Sequence, residues 1–285
     1  MSRYQTLPIQ AKDSAGVNFL YHTVPGRALL QLLIRPGVSK ALGAFLDKPL
    51  SRHLVTPFVK STGLDLSDYP ERHYHSFNDF FTRNIREGRR PVDMEETALV
   101  APCDGKLTVY PITPEGLFDI KHSVYSTKDL LQDEELAKEF EGGTCLIFRL
   151  TPDDFHRYSF MDGGEILLSR TVPGVLHTVR PIAFRRYPVF SENAREYAVL
   201  ETVNFGKVIQ MEVGALFVGR IVNLPLTEFS RGQEKGKFEF GGSTIILLLQ
   251  KDAAIIDEAL LRNTQAGLES IVRLGNRIGR RETGL

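Results

Sequence analysis

The sequence is poor in cysteine and in long apolar runs, and both absences exclude classes of protein. Its 285 residues include only two cysteines, Cys103 and Cys145, so a disulfide scaffold is excluded and a reducing compartment is favoured. No run approaches the roughly 18 consecutive apolar residues that span a bilayer. The first residues also lack the basic and then apolar layout of a signal peptide. These absences predict a chain that is made and kept in the cytoplasm.

Motifs for nucleotides and metals are also missing. No dinucleotide fingerprint is present, and the stretch 232–238 is one residue short of a phosphate loop, with Phe238 where Ser or Thr must bind magnesium. His73 and His75 have metal-ligand spacing, but we assign them to the approach to a helix that begins after Ser76. We therefore expect no metal.

Acidic side chains are scarce in residues 1–60, although the whole chain has no net charge. This segment carries eight basic residues and only two acids, Asp13 and Asp47, a net charge of +6. Basic and apolar residues mixed on short helices suit the surface of an anionic membrane, and a helical cap with a solvated basic face is the alternative. We expect no nucleic acid partner, because the basic residues are not interleaved with aromatics.

The order of elements predicts an α+β fold. Prolines divide residues 27–60 into two or three short helices, and Ser76 with Asp79 predicts a helix through about Glu87. Short strands between Gly and Pro turns follow, at residues 107–110, 144–150, 165–168, 197–203, 208–213 and 216–222. A polar helical insertion is expected at 128–140, and helices after Lys251, through about Leu274. The predicted architecture is an N-terminal helical cap, residues 1–95, on a mainly antiparallel β-rich catalytic domain, residues 96–285.

Two glycines and a serine stand before the most apolar strand of the chain. The motif is Gly241-Gly242-Ser243-Thr244, and the strand is Ile245 to Leu249. Glycine leaves the backbone free to adopt unusual torsions beside the hydroxyl, while the buried strand holds that serine in place. Ser243 could therefore attack the carbonyl of Gly242, although Gly-Gly-Ser is by itself also an ordinary loop.

Five other motifs, which follow one another along the chain, indicate the role of Ser243. They are Phe77-Asn78-Asp79-Phe80-Phe81-Thr82-Arg83, Ala101-Pro102-Cys103-Asp104-Gly105, Thr151-Pro152-Asp153-Asp154-Phe155-His156-Arg157, Val172-Pro173-Gly174 and Glu212-Val213-Gly214-Ala215. Together with Gly241 to Thr244, they resemble the phosphatidylserine decarboxylases, a pyruvoyl-dependent family. The resemblance runs from about Phe77 to Leu249.

The resemblance implies a self-made cofactor and a set of catalytic residues. Cleavage between Gly242 and Ser243 would leave Ser243 as a pyruvoyl group, which forms a Schiff base with phosphatidylserine and releases carbon dioxide and phosphatidylethanolamine in phospholipid biosynthesis. The resemblance implies an Asp–His–Ser arrangement for self-cleavage, in which His156 would act as the base for Ser243 and Asp104 would orient the imidazole and stabilise its charged form. Many family members carry a second histidine three residues after the first, where this chain has Ser159. His177 could supply the missing imidazole as a proton donor.

The resemblance also implies partners and a location, and it leaves alternatives open. The fragments on either side of the cut would stay associated, at the cytoplasmic side of the cell membrane as a peripheral protein, and a homodimer is left open. One alternative is a pyruvoyl decarboxylase of a soluble amino acid. The other is an uncleaved lipid-binding protein of the same fold.

Overall fold

A computed structural model describes residues 3–9, 14–120, 123–184, 186–217 and 220–282. Short helices dominate the first third of the chain. In chain order the α-helices are α1 (Ala15–His22), α2 (Val24–Leu33), α3 (Pro36–Leu46), α4 (Val55–Thr62), α5 (Phe77–Phe81), α6 (Thr127–Leu131), α7 (Glu134–Lys138), α8 (Pro181–Phe184), α9 (Val189–Glu192) and α10 (Glu258–Gln265). A 3₁₀ helix, Pro49–Leu54, links α3 to α4.

Strands are the main regular structure in the rest of the described chain. They are β1 (Thr6–Pro8), β2 (Ala98–Val100), β3 (Gly105–Pro111), β4 (Leu117–Ile120), β5 (Ser123–Ser126), β6 (Thr144–Leu150), β7 (Arg157–Ser159), β8 (Gly164–Val172), β9 (Arg195–Thr202), β10 (Gly206–Val213), β11 (Ile221–Asn223), β12 (Glu228–Phe229), β13 (Glu234–Phe238), β14 (Ser243–Leu249), β15 (Ile255–Ile256), β16 (Leu268–Val272) and β17 (Arg277–Arg280).

Nine of these strands form one antiparallel sheet, in the order β1-β16-β3-β6-β14-β10-β9-β8-β12. Two three-stranded sheets, β11-β13-β7 and β15-β17-β2, and the hairpin β4-β5 complete the strands. The predicted α+β class and its mainly antiparallel sheet are confirmed. One strand from the first 95 residues, β1, pairs with β16 in the large sheet.

The strand β14 lies at the centre of this sheet and is buried on both faces. Ile245 and Leu247 pack in one core with Tyr158 and Phe238 of the β11-β13-β7 sheet. Ile246 packs in a second core, with residues of α1, α2 and α6. A strand covered on both faces reads as a continuous apolar run rather than as an alternating pattern, which explains the sequence from Ile245 to Leu249.

The N-terminal helices form a third apolar cluster, which reaches the loop before β14. Phe77, Phe80 and Phe81 of α5 pack with Leu46 of α3, and Phe240 lies against them. The side chain of Ser76 accepts a hydrogen bond from the amide of Asp79 at 3.1 Å, so the predicted helix start is confirmed. The helical cap therefore contacts the segment that leads into Ser243.

Three predictions about secondary structure were wrong in whole or in part. The helix after Ser76 ends at Phe81 instead of Glu87, and the chain then runs without regular structure to β2. Residues 268–272, expected to be helical, form β16, since Glu269 and Ser270 are buried in the sheet next to β3. The expected strand at 216–222 is regular only from Ile221, and Val218 and Gly219 lie outside the described residues.

Among the described helices, none is by itself long and apolar enough to cross a bilayer. Taken together, Val24–Leu33 and Pro36–Leu46 have the length and composition of a broken or re-entrant span, with a bend of 68° between them.

Candidate active site

The hydroxyl of Ser243 is buried and has no hydrogen-bond partner. Ser243 is the first residue of β14, where it pairs with Leu150 at the end of β6. It is 0% exposed, and its Oγ is among the buried polar atoms without a partner. A buried hydroxyl normally finds a partner, so an orphaned one at the start of a rigid strand marks a place where chemistry is expected.

The two preceding glycines shape the backbone at this point. Gly241 has φ of 128°, a region that L-residues rarely adopt and that glycine reaches without steric cost. A Cβ added to Gly242 would meet its nearest atoms, Leu150 O and Val179 Cγ2, at 3.6 and 3.8 Å. Gly242, whose carbonyl carbon Ser243 would attack, could therefore hold a Cβ at ordinary contact distances, whereas the torsion of Gly241 favours glycine.

His156 reaches the same end of the sheet from the loop after β6. Its side chain is 0% exposed, its Nδ1 lies 3.0 Å from the carbonyl oxygen of Asp154, and its Nε2 has no partner. The ring lies 4.1 Å from the ring of Phe81, which in turn lies 5.3 Å from the ring of Phe240. Burial, with a smaller contribution from Arg83, lowers the pKa of His156 to about 3.

This protonation state matters for the role of His156. An imidazole with so low a pKa is neutral at pH 7. The proton on Nδ1 is fixed by the Asp154 carbonyl, which leaves Nε2 as a free acceptor. His156 is thus prepared to accept a proton.

The loop that carries His156 is fixed by a buried ion pair. Lys106 of β3 donates from Nζ to Asp154 Oδ2 and to Thr151 Oγ1, both at 2.6 Å. The amide of Thr151 donates to the same carboxylate oxygen at 2.6 Å. Burial raises the pKa of Asp154, and Lys106 opposes this. Lys106 was not singled out from the sequence, because its partner is 48 residues away.

Asp104 lies at the same edge of the sheet but bonds to other partners. It directly precedes β3, the strand on the other side of β6 from Ser243. Its carboxylate accepts hydrogen bonds from Arg90 Nε, at 2.9 and 3.0 Å, and from Arg90 Nη2, at 2.6 Å. It also accepts one from the amide of Leu274 at 2.9 Å. Within the described contacts, Asp104 therefore orients Arg90, and the Asp154 carbonyl orients His156. The expected Asp104–His156 hydrogen bond is not among them.

His177 lies on the other side of the sheet. It is buried in the second core, where its ring stacks 4.0 Å from that of Tyr187 and its Nδ1 lies 3.4 Å from the hydroxyl of Tyr21. Burial lowers its pKa to about 4. The described contacts of its side chain are with Tyr21, Tyr187 and Glu192, at a distance of 3.7 Å for Glu192, and do not include Ser243.

A backbone link still connects His177 to the cleavage region. Asn193 accepts from the His177 amide at 2.9 Å and donates to the carbonyl oxygens of His177 and Gly214, at 2.8 and 2.7 Å. Gly214 follows β10, whose Val213 pairs with Thr244. Asp104, His156 and Ser243 thus share one end of three adjacent strands, whereas the described contacts of the His177 side chain lie elsewhere and its backbone is linked to that end through Asn193.

Comparison with known proteins decides which family has this arrangement. The family model described as phosphatidylserine decarboxylase matches residues 77–280. The chain belongs to the phosphatidylserine decarboxylase family. It is therefore similar to a family of carboxy-lyases over the whole region that carries the ordered motifs.

Curated relatives agree over nearly the full length. Phosphatidylserine decarboxylase proenzyme 2 of Clostridium acetobutylicum is 47% identical over 264 residues, which cover 92% of this chain and 91% of the relative. The phosphatidylserine decarboxylase proenzymes of Ruminiclostridium cellulolyticum and Clostridium perfringens are 40% and 38% identical over 270 residues. Those two alignments cover 92% of this chain and 90% and 92% of the relatives.

Ser159 occupies the position where the resemblance leads one to expect a second histidine. Ser159 is buried, and both its amide and its Oγ donate to the carbonyl oxygen of Pro102, at 2.8 and 3.3 Å. Gln210 Nε2 donates to the carbonyl oxygen of Ser159 at 3.1 Å. Ser159 therefore ties β7 to the turn before Asp104 and contributes no ionisable group, which leaves His156 as the described imidazole at this edge.

A buried ion pair shares a sheet face with Ser243. Glu212 pairs with Ile245 across β10 and β14, and Ile245 points to the same face as Ser243 because side chains alternate along a strand. Lys235 Nζ lies 2.7 Å from Glu212 Oε2, and Asn223 Nδ2 lies 3.2 Å from it. Burial raises the pKa of Glu212, and Lys235 opposes this. The signal in the sequence was an acid inside the apolar strand 208–213.

Arg83, the last residue of the motif that begins at Phe77, is fully buried. Its guanidinium lies 4.1 Å from the centre of the Tyr69 ring and 4.9 Å from that of Phe80. Nη1 donates to the carbonyl oxygens of Phe80 and Phe81 at 3.4 and 3.5 Å. Its positive charge is the second cause of the low pKa of His156, so Arg83 helps to keep that imidazole neutral.

A cavity of about 430 Å³ opens beside the loop that leads to Ser243. One face of α3, from Pro36 to Asp47, forms one wall, and the opposite wall consists of Phe217, Arg220, Glu239 and Phe240. We refer to it as the α3 cavity. Its size is in the range of small-molecule sites, and Phe240 is three residues before Ser243.

No group of three or more His, Cys, Asp or Glu side chains that could hold a metal is found within the part of the chain that the structure describes. His122 lies outside that part.

Proposed function

We propose that this chain is a phosphatidylserine decarboxylase proenzyme that cuts itself between Gly242 and Ser243 and uses the resulting pyruvoyl group to convert phosphatidylserine to phosphatidylethanolamine. The observation that carries the proposal is the buried, unpartnered hydroxyl of Ser243, directly after a glycine pair and at the head of a central strand. The relatives are named phosphatidylserine decarboxylase proenzymes, which supports it.

Self-cleavage needs the atoms of the chain and one molecule of water. Ser243 Oγ bonds to the Gly242 carbonyl carbon as the C–N bond breaks, and the hydroxyl proton ends on the freed nitrogen, giving an ester. Removal of the Ser243 Cα proton then breaks the Cβ–Oγ bond and releases Gly242 as a carboxylate. Water converts the remaining enamine nitrogen to ammonia and leaves a ketone at residue 243.

His156 is the group that we assign to proton transfer in these steps. A serine hydroxyl is a weak nucleophile without a base, and the neutral His156 has a free Nε2. Lys106, through Asp154, fixes the loop that carries it. Arg90 holds Asp104 at the same edge, so we assign Asp104 to positioning of the turn before β3.

The cut fragments should stay together. The product pieces are residues 1–242 and the 43-residue segment 243–285, and β14 of the smaller piece lies between β6 and β10 of the larger one. Its five aliphatic side chains, Ile245 to Leu249, are each at most 1% exposed. Their burial contributes on the order of 10 kcal/mol, at about 1.5–3 kcal/mol each.

In turnover, the pyruvoyl group supplies a carbonyl that takes up the substrate amine and accepts the electrons that remain when carbon dioxide leaves. The surrounding residues orient the substrate and exclude water. His156, in ring contact with Phe81 and through it with Phe240 at the α3 cavity, is the group that we assign to proton delivery to the product Cα, from Nε2 after that atom has first accepted a proton. His177 is the second candidate, and it is the less favoured one because its described side-chain contacts are with Tyr21, Tyr187 and Glu192.

The helical cap is proposed as a membrane-docking surface, which would make the protein peripheral at the cytoplasmic side of the cell membrane. Eight of the eighteen exposed large apolar side chains in the described residues lie in a short N-terminal segment: Phe19, Val24, Leu29, Leu32, Val38, Phe45, Leu50 and Leu54. Basic residues surround them, with a net charge of +6 over residues 1–60. Such a surface binds anionic lipid through both apolar burial and charge.

The experiment is denaturing mass spectrometry of the purified protein together with a decarboxylation assay on phosphatidylserine. The wild-type chain should yield two fragments and release carbon dioxide, while Ser243→Ala should stay uncut and inactive. Thr244→Val is the matched control, because the Thr244 hydroxyl is also buried and unpartnered but faces the other side of the strand; it should be cut. Turnover by Ser243→Ala would refute the proposal.

A further inference from the structure

The α3 cavity contains anion-binding groups that the described protein leaves unused. Arg220 is already paired, at 3.1 Å with Glu239 and 3.7 Å with Asp47. Lys40 is exposed and has no acidic partner in the described contacts. Ser39 is only 1% exposed, and its Oγ has no hydrogen-bond partner. A free cation and a buried free hydroxyl therefore stand side by side in one wall of the cavity.

The helix that carries them adds a third contribution. Arg35, the residue before α3, provides no side-chain cap, and the first turn contains no acid. Pro36 has no N–H and the Val38 amide donates to the carbonyl oxygen of Arg35 at 3.0 Å, so the start of this 11-residue helix offers the Gly37 amide together with the partial positive charge of the helix end, which favours an anion. Pro36 and Gly37 of this turn line the cavity together with Ser39 and Lys40.

We propose that Ser39, Lys40 and the first turn of α3 bind the phosphodiester of the lipid headgroup. This inference rests on the proposed function and specifies which part of the substrate the cavity holds. The serine end of the headgroup would then extend past Phe240 toward residue 243. The glycerol and acyl chains would leave along the exposed apolar side chains of α2 and α3, among them Leu32 and Phe45.

The pairing of Arg220 supports the assignment of Lys40 over Arg220. The cavity walls carry two basic side chains and two acidic ones. Both acids, Asp47 and Glu239, form ion pairs with Arg220. A phosphodiester that approached Arg220 would have to displace Glu239 and Asp47, whereas Lys40 offers its charge at no such cost. Glu239 has a pKa raised by burial, which is consistent with a site that is partly shielded from water.

The test is steady-state kinetics on dihexanoyl phosphatidylserine below its micellar concentration, so that membrane binding does not contribute. Lys40→Gln should raise KM about tenfold or more and Ser39→Ala about fivefold, as expected for a charge-assisted and a neutral hydrogen bond, with kcat within about twofold of wild type. Lys251→Gln, an exposed lysine at the far end of β14, is the matched control and should leave both constants unchanged. Inorganic phosphate should inhibit wild-type enzyme competitively and inhibit Lys40→Gln more weakly.

Each result separates this inference from the proposed function. Unchanged KM values in Lys40→Gln and Ser39→Ala, or a loss confined to kcat, would overturn the phosphodiester site. Both variants should still be cut and should react with hydroxylamine as fast as wild type, because their carbonyl is untouched. If wild-type enzyme itself lacked the reactive carbonyl, the pyruvoyl proposal would fail. The phosphodiester site would then be tested by calorimetry of glycerophosphoserine binding to the uncut chain. Equal affinity of the wild-type chain and Lys40→Gln would overturn the proposed site.

Discussion

Removal of the charge of Glu212 should destabilise the fold more than any ordinary surface change. Glu212 is 0% exposed and Lys235 is 4% exposed, with Nζ and Oε2 2.7 Å apart. Glu212→Gln leaves the Lys235 ammonium buried without its counter-charge, and breaking such a pair costs about 3–5 kcal/mol. Because a domain is stabilised by only about 5–15 kcal/mol in total, this loss would be a large share of its stability.

The assay is urea unfolding followed by circular dichroism, with Ser243→Ala in every variant so that an uncut chain unfolds as one unit. The double variant Glu212→Gln with Lys235→Met removes both charges and should recover most of the loss, since replacing a buried pair by neutral groups is often close to neutral. The cycle should therefore show strong coupling between the two sites. A loss below about 1 kcal/mol for Glu212→Gln, or additive single changes, would refute the reasoning from burial.

Three further predictions follow from the same structure. Burial lowers the pKa of His156 to about 3 in the folded chain. Below about pH 6.5 the unfolded chain therefore binds a proton that the folded chain does not, and the free energy of unfolding decreases as the pH falls. His156→Gln should remove up to about 1.4 kcal/mol per pH unit of this slope between pH 6 and 4. Gly241→Ala, at φ of 128°, should lower the free energy of unfolding in urea by about 1–3 kcal/mol and slow the cleavage. Gly242→Ala should lower it by less, because Gly242 has space for a Cβ. Equal losses in the two variants would contradict the assignment of strain to Gly241. The double variant Leu32→Ser with Leu50→Ser changes side chains that are 52% and 68% exposed. It should weaken sedimentation with phosphatidylserine vesicles at least tenfold, while the free energy of unfolding stays within about 1 kcal/mol of the wild-type value. Undiminished binding would remove these helices from the docking surface.

Local patterns in the sequence were sufficient to locate the central strands. β6 was predicted at its observed bounds, Thr144–Leu150, because both of its ends are marked by turn residues and its interior is apolar. The strand after Ser243 was predicted for the same reason. The segment 268–272 was mistaken for helix because its pairing with β3 depends on residues about 160 positions away, which no local pattern contains.

The candidate site was only partly visible from the sequence. Ser243 and His156 were found through their motifs, and the structure places both in buried positions at one end of β14 and β6. The partners of Asp104 and His156 could not be foreseen, since Arg90 competes for the carboxylate and a backbone carbonyl of Asp154 takes the imidazole. Such contacts are set by tertiary packing rather than by spacing along the chain.

The α3 cavity was not visible from the sequence at all. It arises where small residues on α3, such as Gly43 and Ala44, face Arg220 and Phe240 from a distant part of the chain. The sequence could show only that the segment was basic and apolar.

The most direct test of the central claim is the mass of the fragment 243–285 from fully active enzyme, measured before and after borohydride reduction. We expect a fragment of 43 residues whose first residue lacks an amino group and gains two hydrogen atoms on reduction, as a pyruvoyl carbonyl would. An intact chain of 285 residues, or a fragment that begins with an ordinary serine, in a preparation with full activity would contradict the account.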